Sequence, residues 1–124
     1  MLINEYFNEV ESQISKRIHI LESRITRDKR SAHIGIIEGE LVFKDESVLH
    51  FIEFVNVKDA LEVYKYSYHY RTDLGDLIFR YDMAPHHREI DTFPHHKHLS
   101  QDKVIRTPIP NLQMVLDKID DLIA

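Results

Sequence analysis

"YKYSYHYRTDLGDLIFRYD", residues 64–82, is the stretch whose reading decides the fold. Its first part alternates strictly. Tyr64, Tyr66, Tyr68 and Tyr70 fall on one face of a strand, and Lys65, Ser67, His69 and Arg71 on the other. TDLGD then reads as a turn in which Gly75 supplies the positive φ of a short hairpin loop. LIFRYD returns as a second strand, with Leu77, Phe79 and Tyr81 opposite Ile78, Arg80 and Asp82. Whether Arg80 shares a face with the tyrosines depends on the register across the loop, and one bulged residue reverses it.

Upstream, Ile3, Tyr6, Phe7, Val10 and Ile14 recur at helical spacing and predict an N-terminal helix. RIHILESRIT is ambiguous, but its β-branched residues favour a strand from about Ile18 to Arg27. After the polar break RDKRS come two strands, AHIGIIEGELVF and VLHFIEFVNV, joined by a turn at Lys44–Ser47. Both are apolar enough to sit centrally in a sheet. At the other end, Leu112, Val115, Leu116, Ile119, Leu122 and Ile123 predict a closing helix that starts at Pro110 or Asn111. The expected fold is α+β: one domain over residues 1–124, with an antiparallel sheet of about five strands flanked by an N-terminal and a C-terminal helix.

Between hairpin and closing helix lies PHHREIDTFPHHKH, residues 85–98, which has no clean period and reads as a polar loop. It holds five of the nine histidines: His86, His87, His95, His96 and His98. Histidine ligates metals, and it is also the side chain best placed to move protons near neutral pH. A metal site needs three or four converging donors. His96 and His98 suit each other in extended chain, the adjacent His86 and His87 diverge, and Asp82, Glu89 or Asp91 could complete a set. The spacing matches no zinc signature. Acid–base chemistry needs only two imidazoles and a cation. Arg80, Arg88 or Lys97 could meet a phosphate, and RNA brings its own nucleophile, the 2′-hydroxyl. Tyr70 and Tyr81 could stack bases, although core packing is the commoner use of such a tyrosine row. Arg80 in an apolar strand needs a partner, which Asp82 could be.

The totals set the remaining bounds. No cysteine is present, which excludes disulfides, thiolate metal sites and a cysteine nucleophile. The net charge of −5 argues against non-specific grip on nucleic acid, though not against a local basic site. No apolar run suits a membrane span, the acidic N-terminal stretch is no signal peptide, and a cytoplasmic location is expected.

Residues Tyr66–Tyr70, Gly75, Leu77–Asp82, Ala84–His87 and Thr92–His98 together resemble the signature of the TumE-like toxins of prokaryotic toxin–antitoxin systems. FIEFVNV resembles that family's central strand. Asp76 and Met83 depart from the pattern, where asparagine is the expected residue at both places. The resemblance implies a toxin with a cognate antitoxin, a small DNA-binding protein. Together with the histidines it leads to a metal-independent ribonuclease acting on RNA. His86, His87, His95, His96, His98 and Arg80 would be catalytic, with Lys97, Arg88, Tyr70 and Tyr81 binding substrate. The alternatives are a metal-dependent hydrolase or nuclease with Zn or Mn at the cluster, and a non-catalytic partner-binding module. A homodimer is left open.

Overall fold

The computed structural model describes residues 1–83, the strand backbones of 95–100 and 103–106, and residues 110–123. Helix α1 (Ile3–Ser15) leads into β1 (Ile20–Lys29), β2 (Ile34–Phe43), β3 (Val48–Asn56), β4 (Glu62–Arg71) and β5 (Leu77–Met83). Strands β6 (His95–Ser100) and β7 (Lys103–Arg106) follow, and helix α2 (Leu112–Ile123) ends the chain. All strands join one antiparallel sheet in sequence order, β1 to β7. The five expected strands and both helices are present. Two further strands come from the stretch that read as loop and from the residues after it. The first strand also lies two residues later than expected, at 20–29.

Local chemistry sets the element ends. The Glu5 carboxylate accepts from the Leu2 backbone N–H at 2.8 Å, closing the open end of α1. Asn111 caps α2, its side-chain oxygen accepting from the Met114 N–H at 2.8 Å. Gly75 has φ 92° in the β4–β5 turn, as its position required, and the Thr72 N–H closes that loop onto the Asp76 carbonyl at 2.8 Å. Glu46 takes the left-handed conformation in the β2–β3 turn, at φ 70°. There Ser47 donates its backbone N–H to the Asp45 carboxylate.

Alternation divides the sheet into two faces. The inner face carries Ile37, Leu41, Leu49, Phe51, Tyr66, Tyr68, Tyr70, Phe79 and Tyr81, which form one core with Phe7, Val10, Leu112, Leu116 and Ile119 of the helices. Arg17, just after α1, ties the two helices together through Asp117 at 2.6 Å and Asp120 at 3.0 Å. Glu53 is the buried acid of this face, 4% exposed. It accepts hydrogen bonds from the hydroxyls of Tyr6 and Tyr68, so its desolvation is compensated. No described element covers the outer face.

Two single-residue shifts refine the alternation. Between Phe54↔Lys65 and Val55↔Val63 the register slips, which makes Tyr64 the extra residue. Tyr64 therefore leaves the tyrosine row and packs edge-on against Phe54, with centroids 5.0 Å apart. Expected with Tyr66, Tyr68 and Tyr70, it instead lies partly exposed. The second slip lies between Tyr70↔Phe79 and Arg71↔Leu77 and leaves Ile78 as the extra residue. It puts Arg80 opposite His69, on the outer face, and Tyr81 opposite Tyr68.

Helix α1 can sit close to the sheet because β2 has glycine beneath it. A Cβ at Gly35 would lie 2.7 Å from Phe7 Cζ, 2.8 Å from Ile3 Cγ1 and 2.9 Å from the Asp28 carbonyl oxygen. Overpacking of this kind costs about 1–3 kcal/mol, more than the roughly 0.4–1 kcal/mol that alanine contributes by stiffening the unfolded chain. Gly35→Ala should therefore lose stability, by about 1–2 kcal/mol, read as a lower urea midpoint at unchanged slope.

Candidate functional site

The outer face of β3 to β6 is where the chemistry gathers. Opposed positions in an antiparallel pair share a face. His50 lies opposite His69, His69 opposite Arg80, and Arg80 opposite His98. These four positions run straight across four strands. In the adjoining row Ser67 lies opposite Asp82, Asp82 opposite His96, and His96 opposite Arg106. The two rows are joined by an ion pair, Arg80 Nε to Asp82 Oδ2 at 3.0 Å, in which Asp82 is only 16% exposed. The expected pairing of these two residues is therefore present. It holds the guanidinium in place along the strand.

His50 and His69 differ in their surroundings. His50 Nε2 sits 2.7 Å from Glu38 Oε2, on the neighbouring strand. His69 is held below its ordinary pKa of 6.5, first by burial, then by the positive charges of Arg80 and Arg71 and by His50; Asp82 opposes this. Near neutral pH it is an uncharged imidazole that can accept a proton.

The expected site residues fall into three groups. Arg80 is on the outer face, and His96 and His98 take register positions in its two rows. His95 and Lys97 take the alternate positions, opposite Met83 and Tyr81. His86, His87 and Arg88 lie outside the described residues, as do Glu89 and Asp91. Tyr70 and Tyr81 are buried on the inner face, 1% and 3% exposed, on the far side of the sheet from Arg80. Tyr70 packs against Phe43 and Phe79 and shares a hydrogen bond with the Ser47 hydroxyl at 2.6 Å. Tyr81 packs edge-on against Phe79. Among the described residues no group of three or more histidines or carboxylates is placed to hold a metal ion.

Residues outside the expected set also belong to this face. His50 and His69 had one sequence signal, their place opposite the apolar alternation of their strands. Only the pairing of β3, β4 and β5 puts them in one row with Arg80, His69 directly opposite it and His50 one strand further on. On the inner face, a cavity of about 340 Å³ opens between Tyr6, Glu53, Tyr66, Tyr68 and Asn111. Burial, and then the Glu53 charge, push the Tyr68 hydroxyl well above its usual range, so it stays a donor to that carboxylate.

No helix among the described residues is long and apolar enough to cross a membrane. Comparison with curated proteins and with solved structures gave no significant match. The family model described as Toxin TumE matches residues 9–123, nearly the whole chain. The chain thus belongs to the Toxin TumE family, and with it to the toxin side of a toxin–antitoxin pair whose other member is a cognate antitoxin.

Proposed function

We propose that the toxic activity is metal-independent cleavage of RNA on the outer face of β4 to β6. The observation that carries this reading is the row His69, Arg80, His98, in which two histidine positions flank Arg80 in the strand register. Two strand spacings separate the outer positions, about 9–10 Å between backbones. A phosphodiester bound at Arg80 would lie between them.

The chemistry follows from that placement. His69, kept neutral by burial and by its cationic neighbours, takes the proton of the 2′-hydroxyl. The resulting oxyanion attacks the adjacent phosphorus, and the bond to the 5′-oxygen breaks. A histidine at position 98 or 96 gives that oxygen a proton. The products are a 2′,3′-cyclic phosphate and a free 5′-hydroxyl. Arg80, steadied by Asp82, stabilises the charge that develops on the phosphoryl oxygens. His86, His87 and Arg88 directly follow β5 in sequence and remain candidates for the same site, with His95 and Lys97 as neighbours in chain. Tyr70 and Tyr81 are assigned to packing. An RNA substrate agrees with a cytoplasmic site of action, and the family resemblance suggests a small DNA-binding antitoxin.

The test is cleavage of RNA by the purified chain in excess chelator, with the cyclic phosphate end detected. Activity should persist there. His69→Ala, His98→Ala and Arg80→Ala should each lower the rate by about 10²–10⁴-fold. Wild-type rates in the His98 and Arg80 variants would sink the proposal. Activity that disappears in chelator and returns with Zn or Mn would favour metal-dependent hydrolysis instead.

A titration gives a second check. The His69 imidazole should show its NMR midpoint below 6.5, and Arg80→Gln should raise it by removing the cation with the larger effect. The link to stability has a definite sign. As pH falls below 6.5 the unfolded chain takes up this proton before the folded chain does, so folding stability is lost over that interval. His69→Gln should lessen that acid sensitivity in urea melts at graded pH.

A further inference from the structure

Strand β1 begins the sheet, and among the described residues it pairs only with β2. Glu22, Ser23, Arg24 and Thr26–Arg30 are all exposed. Charges on an edge strand commonly serve to discourage pairing with other chains. The order of the charges here points the other way.

The backbone first limits which pairings could form. The Arg30 N–H donates to the Ile34 carbonyl at 2.9 Å, and residues 22 to 29 continue the same register along β2. In an antiparallel strand, N–H and C=O of one residue point to the same side, and the side alternates. From Glu22 to Asp28 the even-numbered residues of β1 therefore bond to β2. Ser23, Ile25, Arg27 and Lys29 direct their backbone groups outward. A second β1 added there by a two-fold axis must pair outward residues with outward residues, so the axis passes through a residue position.

The side chains then choose among the axes. With the axis at Thr26, Arg24 faces Asp28 of the second copy and Glu22 faces its Arg30. Both pairs occur twice by symmetry. With the axis at Ile25, Glu22 faces Asp28. At Arg27, Arg24 faces Arg30 and Arg27 faces itself. At Arg24 or Asp28, that residue faces its own copy. Among registers that pair most of the strand, only that at Thr26 opposes unlike charges throughout. Within one chain Arg24 Nε already lies 3.1 Å from Glu22 Oε1, and Arg30 Nη2 2.9 Å from Asp28 Oδ2. Pairing would place each of these two arginines between a carboxylate of its own strand and one of the other, making one continuous charge ladder.

We propose that β1 is the contact between two copies of this chain, joined antiparallel about Thr26 into one continuous sheet. The outward backbone groups supply the hydrogen bonds, and the Glu22, Arg24, Asp28 and Arg30 ladder sets the register. The contact leaves the outer face of β4 to β6 open. From β1 to β5 is four strand spacings, about 19 Å.

Light scattering after size exclusion tests this. The wild-type chain should run at twice 14.8 kDa. R24D sets a new carboxylate against Asp28 of the other copy, and D28R sets a new guanidinium against Arg24. Each change reverses two pairs and should weaken the dimer about tenfold or more. An equal mixture of the two variants should recover the dimer, because each chain then carries the charge the other lacks. Both positions are exposed, and circular dichroism will confirm an unchanged fold. A monomeric wild type, single variants that dimerise like wild type, or a mixture no tighter than the variants alone would each overturn the proposal.

Discussion

One bulged residue, Ile78, decides on which face of the sheet Arg80 lies. From the turn, Arg71 pairs with Leu77. Continued without interruption, that register would set Arg80 opposite Tyr68, inside the core with the tyrosines. The extra residue shifts the pairing by one, so Arg80 meets His69 and Phe79 meets Tyr70. Side chains alternate with a period of two, so a shift of one exchanges the faces of the whole strand. Burial enforces the result. Phe79 and Tyr81 are almost fully covered on the inner face, whereas a guanidinium in their place would need a buried counter-charge.

The rest of the outer face follows from that exchange. With Arg80 outward, Asp82 lies on the same face two residues on and reaches its Nε. The β6 backbone pairs with β5 so that positions 98 and 96 continue the same two rows. The inner face needs a polar device of its own, since Glu53 lies within it. Two tyrosine hydroxyls, from α1 and from β4, satisfy that carboxylate. Tyrosine thus serves the core twice, as ring and as donor. With Tyr70 and Tyr81 buried on the inner face, the proposed activity rests on the rows of histidine and arginine positions.

Most of the fold was legible because its signals are local. Helical spacing marked α1 and α2, Pro110 or Asn111 marked the start of α2, and Gly75 marked a turn, each from a few neighbouring residues. The tyrosine alternation placed Tyr66, Tyr68 and Tyr70 together correctly. What escaped depends on pairing between distant segments. Tyr64 reads as part of the row, and only the β3–β4 bulge expels it. HHKHLS and KVIR lack the apolar alternation that marks a strand, so most of β6 read as loop and β7 was not foreseen. The site was partly legible for the same reason. Arg80 and the histidine segment stood out by composition, while His50 and His69 join the row of Arg80 only through two registers.

Charge order also makes the two ends of the sheet differ in what they offer. At β4 to β6 histidine and arginine positions line up across strands, with Arg80 held by Asp82. Such a row suits a small charged group lying across the strands, such as a phosphodiester. At β1 the charges line up along one strand, Glu22, Arg24, Asp28 and Arg30, with Thr26 between them. Such a row can be answered fully only by another strand of matching order, and its own sequence read backwards has that order. On the two proposals, Arg80 on β5 would lie four strand spacings, about 19 Å, from the contact at β1, so neither need change for the other to work. On the same two proposals, a partner that covers the outer face of β4 to β6 would block cleavage without parting two copies joined at β1.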